Sequence, residues 1–537
     1  MGRFAVVLLA AVAAALQWST EGSPFVPMAV ERRVAADAEL AAVYQPSFAP
    51  LWVGPDGAMT PAAREALQVL DAAADEGLDP GEYAVASLAW RRAPSAPGAE
   101  AEAVARFDVE LSRAVLRYLR HLHMGRVDPR DIGFTLTVPR DGHDFAALVR
   151  QASGGRVTEL ARAWAPRGPQ YPALAAALRR YRTLAEVDIP FRVTLTRPVH
   201  PGERAPFLAE LHARLGLLGD MPPDVSAPVD DLYAGAIVMA VQRFQARHGL
   251  EPDGVLGTRT VAHLQVPIGD RRRQLELGME RLRWLPHEAD TRLILVNIPV
   301  FRLLAWDSVP PSGLPGFTTG TIVGRALSTQ TPVFAASLTE VVFRPYWNVP
   351  TSIVRGEVLP KLARDPTYLA REQLELVAGQ GDASPVVEAT PANLAGLRTG
   401  AVRLRQRPGP GNALGLIKFS FPNEHDVYLH GTPVQALFAR SRRDFSHGCV
   451  RVEDPVGLAV WVLGAQDGWT RERVVAAMHA SVSSRVTLRA PVSVMLLYST
   501  VSVRLDSGEL VFAEDIYQHD ARLERALRQR SGFAPES

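Results

Sequence analysis

Apolar side chains follow two rhythms along this chain. From about residue 36 to 200 they recur at helical spacing between Pro and Gly punctuation, and Phe107, Leu111, Ala114, Val115, Tyr118 and Leu122 form one stripe that predicts a buried helix face. Thr60-Pro61 reads as an N-cap followed by proline at the first helical position, with Gly77 as a stop. His121 and His123 read as packed or solvated, not as ligands. A second helical unit runs from about 203 to 268: Ile237, Val241 and Phe244 share a face, His248-Gly249 ends that helix, and Asp253-Gly254 turns the chain. Beyond Arg271-Arg272-Arg273 the period falls to two. Leu293 to Ile298, Phe301 to Leu304, Thr321 to Val323, Val341 to Phe343, Leu416 to Phe421 and Val427 to His430 read as strands. Helix-forming and loop sequence at 355–402 interrupts them, which predicts an insertion capping a β-rich domain; Pro408-Gly409-Pro410-Gly411 marks its return. Gly379 to Pro385 reads as a mobile loop in that cap. The expected fold class is multidomain α+β.

At the N-terminus, Met1-Gly2-Arg3 and the apolar run Phe4 to Leu16 read as a secretory signal peptide over residues 1–22. The run falls short of the ~20 residues that span a bilayer comfortably. Left uncleaved, it would tether the chain to a membrane. No cysteine follows it, which excludes a lipoprotein anchor.

Composition narrows the picture further. The 537 residues predict about three domains. A net charge of +1 excludes a strongly basic nucleic-acid binder, and 47% hydrophobic with 21% charged residues fits packed cores, not disorder. Cys449 is the single cysteine, so neither an intramolecular disulfide nor a CxxC metal site can form. Lys361 and Lys418 are the only lysines; the other basic residues are arginine, a bias read first as genome composition.

Candidate chemistry gathers around that cysteine. Cys449 lies in Ser446-His447-Gly448-Cys449-Val450-Arg451, 19 residues after His430, and Tyr428 shares the face of His430 because side chains alternate along a strand. A thiolate is the reactive form, and a cysteine of pKa ~8.5 needs a histidine or positive charge nearby to be poised at neutral pH. His430 or His447 can serve as base, Gly448 lets backbone approach closely, N–H groups around Cys449 can receive an oxyanion, and Arg451 can anchor a carboxylate. These types point to acyl transfer. Two other readings stay open on the residues alone: a buried cysteine acting as a small hydrophobe, and a zinc site of His430, His447 and Cys449, which lacks a fourth ligand and a base.

Two resemblances bear on that choice. Phe244-Gln245, His248-Gly249-Leu250, Asp253-Gly254-Val255, Gly257, Thr260 and Leu264 resemble the small three-helix peptidoglycan-binding domain. His430-Gly431-Thr432-Pro433 followed by Ser446 to Val452 resembles the L,D-transpeptidase catalytic domain, the YkuD-like fold; Val296 to Pro299, Pro345 to Pro350 and Asn412 to Gly415 match further. With a helical N-terminal region and a cap, the chain resembles the large periplasmic subfamily typified by YcbB. That resemblance implies a scaffold domain at 36–200, a peptidoglycan-binding domain at 203–268, a catalytic domain at 291–482 with its cap at 355–402, and a C-terminal extension at 483–537 packed on the catalytic domain.

The same resemblance implies Cys449 as nucleophile and His430 as its proton acceptor and donor. His447 and Gly448 would shape the site and its oxyanion pocket, Ser446 and Arg451 would support it by hydrogen bonding, and Tyr428 and Trp347 would line the substrate pocket. The implied reaction joins tetrapeptide stems of peptidoglycan by 3→3 crosslinks through a thioester, in the periplasm, with no metal or organic cofactor. Water in place of the amine would make an L,D-carboxypeptidase, and a lipoprotein lysine would make an attachment enzyme. A non-catalytic wall-binding scaffold would be expected to lose the His or Cys positions, yet His430, His447 and Cys449 are all present.

Overall fold

The computed structural model describes residues 25–83, 88, 97–136, 142–286, 292–308, 313–379, 381–466 and 468–530, so the signal segment expected at 1–22 lies outside the described residues. Helices Phe25–Val34, Ala38–Tyr44, Pro61–Asp71, Phe145–Ser153 and Val157–Trp164 gather around the long helix Pro97–Met124. All six stripe residues of that helix are buried. Thr60 caps its helix by accepting from the Ala63 N–H at 3.1 Å, and a short 3-10 turn carries the chain on to Gly77 at φ 68°. His121 and His123 are packed: His121 meets the Tyr83 hydroxyl at 3.1 Å, and His123 lies against the Trp164 ring at 4.6 Å.

Three helices, Leu208–Leu218, Ala236–Arg247 and Thr258–Leu264, build the second unit. Gln245 staples its turn, donating to Asp253 Oδ1 at 2.9 Å and accepting from the Gly254 N–H at 2.8 Å. The following helix, Ile268–Leu282, is polar in sequence yet largely buried, between helix Gln170–Glu186 of the N-terminal region and the last helix, His519–Arg530. Its Glu280 is fully buried. The carboxylate accepts from the Val127 N–H at 3.0 Å, the Arg126 N–H, Arg126 Nε at 3.3 Å and Arg283 Nη1 at 3.1 Å. Burial by itself would raise its pKa, but the two guanidinium charges and two N–H donors bring it below the ordinary carboxylate value.

The β-rich part contains strands β1 (Leu293–Asn297), β2 (Arg302–Trp306), β3 (Phe317–Gly324), β4 (Phe334–Phe343), β5 (Trp347–Asn348), β6 (Leu374–Val377), β7 (Val386–Val387), β8 (Arg403–Gln406), β9 (Ile417–Ser420), β10 (Leu429–His430), β11 (Asp444–Ser446), β12 (Val450–Val452), β13 (Ser484–Leu497), β14 (Val501–Val503) and β15 (Leu510–Phe512). The main sheet runs β11-β3-β12-β10-β9-β4-β13-β1-β2, and β2 also pairs with β3, which closes it. All of β1 is buried, which explains why apolar residues fill both of its faces.

Strands β5, β8, β6 and β7 form a separate sheet. With the short helices between them they enclose their own core, Val349, Val354, Val358, Leu369, Leu376, Leu397 and Leu404, distinct from the main one. This cap is wider than the 355–402 read from the sequence, because its two ends pair with each other: Trp347 faces Gln406 and Asn348 faces Arg405.

One other expectation is corrected. Residues 484–497 are not an extension packed on the catalytic domain but the strand β13, held between β4 and β1 inside its sheet. Arg485, Thr487, Arg489 and Pro491 hide it in the sequence; its first half is mostly exposed, and Pro491 sits where the register shifts between Thr487 and Val492. In the stretch Gly379 to Pro385, read as a mobile loop, Gly379 and Asp382 make contacts. Gly379 O accepts from Arg403 Nε at 2.5 Å, Asp382 O accepts from Arg405 Nη1 at 2.5 Å, and the Asp382 carboxylate pairs with Arg485.

Truncating Glu280 to alanine would leave the Arg126 and Arg283 charges buried without a carboxylate between them. The expected loss is about 3–5 kcal/mol of stability, read as a lowered urea midpoint; an unchanged midpoint would show that this network does not hold the helices together.

Candidate active site

β10 is two residues long, yet it fixes the central group. It pairs antiparallel with β9 and parallel with β12, so His430 has Lys418 opposite it on one side and Arg451 on the other. His430 is buried. Its Nδ1–H donates to the Gly431 carbonyl at 2.5 Å, which leaves the lone pair on Nε2. Burial above all, then the charges of Arg451 and Lys418, push its pKa down to about 3 against the pull of the Gly431 and Leu414 carbonyls. Gly415 makes this packing possible. Its φ is 65°, and a Cβ there would meet Thr432 N at 2.7 Å.

Tyr428 lies on the face of His430, as strand alternation requires, with ring centroids 5.7 Å apart. The parallel pairing of Leu429 with Val450 sets Tyr428 beside Cys449, where its hydroxyl favours the thiolate, and Trp347 acts on the same hydroxyl. Cys449 is partly buried, and its thiol donates to the Asp426 carbonyl at 3.7 Å. Burial pushes the thiol pKa up; Tyr428 and the positive charge of Lys418 pull it down, and Asp426 opposes them. Among the described residues no hydrogen bond joins Cys449 to His430.

The loop that carries Cys449 is held from behind. Ser446 Oγ donates to the Cys449 carbonyl at 2.5 Å and accepts from the Gly448 N–H at 3.2 Å. Ser446 O accepts from the Arg325 N–H and Thr329 Oγ1, both at 3.1 Å, and Gly448 O accepts from Thr331 Oγ1 at 2.7 Å. Tyr517 steadies that turn, donating to Gly324 O at 2.5 Å and accepting from the Thr331 N–H at 3.2 Å. Gly448 has φ 114°, a backbone conformation side chains rarely adopt. Its N–H already points at Ser446, so the role of Gly448 here is conformational.

His447 faces the cap. Its Nε2–H donates to Glu357 Oε1 of the cap at 2.5 Å. Arg451 forms no ion pair among the described residues, and its Nε is buried without a hydrogen-bond partner. The site thus brings together Cys449, Tyr428, Trp347 and Lys418, with His430 and Arg451 beside them. Sequence reasoning missed the parts played by Lys418, Glu357, Thr331 and Asp426. Lys418 alone carried a signal, as one of only two lysines.

Residues 38–178 match a scaffold domain, 205–264 a "putative peptidoglycan binding domain", and 291–492 the L,D-transpeptidase catalytic domain of the YkuD family. A Haemophilus influenzae protein named "Putative L,D-transpeptidase" is 32% identical over 257 residues, 47% of this chain and 49% of that protein. The chain therefore spans about half the length of the curated relative it matches. Solved structures of L,D-transpeptidases from Xylanimonas cellulosilytica (residues 123–326) and Stackebrandtia nassauensis are 16% and 13% identical, with TM-scores of 0.17 and 0.22. Each match covers 57% of this chain, and 100% and 97% of the respective structures. The domain that holds Cys449 is an L,D-transpeptidase catalytic domain of the YkuD family, and a peptidoglycan-binding domain precedes it in the chain.

Proposed function

We propose that the protein is a peptidoglycan L,D-transpeptidase that forms 3→3 crosslinks through a thioester on Cys449. The observation that carries this reading is the placement of the only cysteine, on a braced loop beside Tyr428 and next to the strand that holds a neutral, correctly tautomerised His430. In the first step Cys449 Sγ attacks the carbonyl of the third stem residue, and His430 Nε2 takes the thiol proton. The C–N bond to the terminal D-alanine breaks, and that proton leaves on its amine. In the second step the side-chain amine of a neighbouring stem attacks the thioester and gives a proton to His430, which returns it to the sulfur. Cys449 and His430 are not bonded in the resting site, as is common for catalytic pairs before substrate arrives.

The cap supports crosslinking over hydrolysis. Glu357 on His447 and Trp347 on Tyr428 bring it against the nucleophile loop, where two stems must be held while water is limited. The peptidoglycan-binding domain supports the stems as partner and an extracytoplasmic, periplasmic site of action. No helix among the described residues is long and apolar enough to cross a membrane. The order of scaffold, wall-binding and capped catalytic domains supports the large periplasmic subfamily.

Purified protein incubated with disaccharide-tetrapeptides, with products read by mass spectrometry, tests this. A dimer lacking one D-alanine is expected. A tripeptide alone would make the enzyme a carboxypeptidase, and products from Cys449→Ala would end the thioester mechanism. His430→Ala is expected to lower turnover by at least about 100-fold, the range of general acid–base catalysis; a near-normal rate would remove it as the base.

The pH dependence has a definite sign. Because His430 is held to about 3, the base stays neutral as pH falls through the ordinary histidine range. Single-turnover thioester formation is therefore expected to be flat between about pH 5 and 8. A drop centred near pH 6.5 would show His430 titrating as a solvated imidazole.

A further inference from the structure

Burial deprives the nucleophile of its usual counter-charge. In a cysteine–histidine pair the thiolate is commonly matched by an imidazolium, yet here the imidazole is buried, faces Arg451 and Lys418 on the flanking strands, and is not bonded to the sulfur. Another cation stands closer to the task. Lys418 projects from β9, and its Nζ lies 4.0 Å from the centre of the Tyr428 ring, whose hydroxyl faces Cys449.

We propose that Lys418 is a positioning residue for the nucleophile: its ammonium, seated over the Tyr428 ring, supplies the counter-charge of the Cys449 thiolate in place of an imidazolium at His430. This rests on Cys449 being the nucleophile. Four observations support it. Lys418 makes no ion pair among the described residues. The acids nearest to it are already engaged, since Asp382 and Glu340 both pair with Arg485. Cys449 heads the charges that act on Lys418, and Lys418 is the positive charge that acts on Cys449. Finally, a chain that meets nearly every other need for a cation with arginine keeps a lysine here.

The proton balance is simple. Lys418 stays protonated throughout; the thiol proton goes to solvent in the resting equilibrium and to His430 during attack. As negative charge grows on sulfur, the ammonium attracts it directly and polarises the Tyr428 O–H toward it. Asp426 works against both, and Arg451 adds a second positive charge on the far strand. From the cap, Trp347 holds the tyrosine hydroxyl, while Glu357 is engaged with His447.

One cysteine makes the test clean. The rate of iodoacetamide alkylation of the full-length protein, measured against pH by intact mass, reports the thiolate fraction of Cys449, with Cys449→Ala as the blank. Lys418→Met is expected to move the profile up by about one pH unit, a ~10-fold slower alkylation at pH 7, and Lys418→Arg to restore part of it. His430→Ala is expected to leave the profile in place. An unmoved profile in Lys418→Met with a native melting curve would overturn the proposal, and so would a shift that appears in His430→Ala instead. Tyr428→Phe, which keeps the ring and removes the hydroxyl, guards against a misfolded lysine variant: it is expected to raise the profile too, and no change there would also overturn it. Stem-peptide turnover by the wild type is a separate readout, so a failed transpeptidase reading would leave the alkylation result standing on its own.

Discussion

Glu280 is the charge on which the assembly turns. It sits fully buried on a helix that touches the N-terminal region on one side and the end of the chain on the other, and two arginines from different segments converge on it. Removing ions from water is costly, so such a cluster persists only when every member is matched. The neighbouring Arg281 carries the same logic outward, pairing with Asp520, whose other oxygen accepts from Thr500 Oγ1 at 2.5 Å. Asp515 then gathers the Tyr498 hydroxyl and the N–H groups of His519 and Asp520, which fixes the segment that carries Tyr517. Tyr517 braces Thr331, and Thr331 holds the Gly448 carbonyl. A continuous set of polar contacts thus runs from the linking helix to Gly448, the residue before Cys449.

What could be read from the sequence was what local pattern encodes. Thr60, Gly77 and the stripe on Pro97–Met124 declared themselves because caps and helical periodicity are short-range. The pairing of His430 with Tyr428 followed from alternation over three residues, and Cys449 from its company of histidine and glycine. The rest depends on long-range register. Nothing near Lys418 says that β9 will lie beside β10, and nothing near Glu357 says that a cap helix will reach the nucleophile loop. Thr331 and Tyr517 meet across 186 residues. β13 was hidden for another reason: half of it is exposed and broken by proline, so its polar face masked a strand at the centre of the sheet.

Electrostatics at the site follow from burial more than from any one partner. The same desolvation that keeps His430 neutral, and so ready to accept a proton, raises the cost of an anion at Cys449. A buried base and a buried acid side by side would stall each other without outside charge. Lys418 and Arg451 lie on the two strands that flank His430, and both discourage a positive charge on the ring. On the proposed mechanism, this places attraction where charge would develop during attack, which is where stabilisation accelerates a reaction.

The cap adds a condition to this balance. Its apolar core is separate from the main one, so little hydrophobic surface binds it to the catalytic domain. What does bind it are polar contacts at two ends: Glu357 with His447 at the nucleophile loop, and Asp382 with Arg485 at the sheet. Partly exposed pairs of this kind contribute about 0–1 kcal/mol each, small beside the energy of a packed core. The cap also bears on the site, because Trp347 at its first strand acts on the hydroxyl of Tyr428. Any shift of the cap would therefore change the surroundings of Tyr428, the ring over which Lys418 sits.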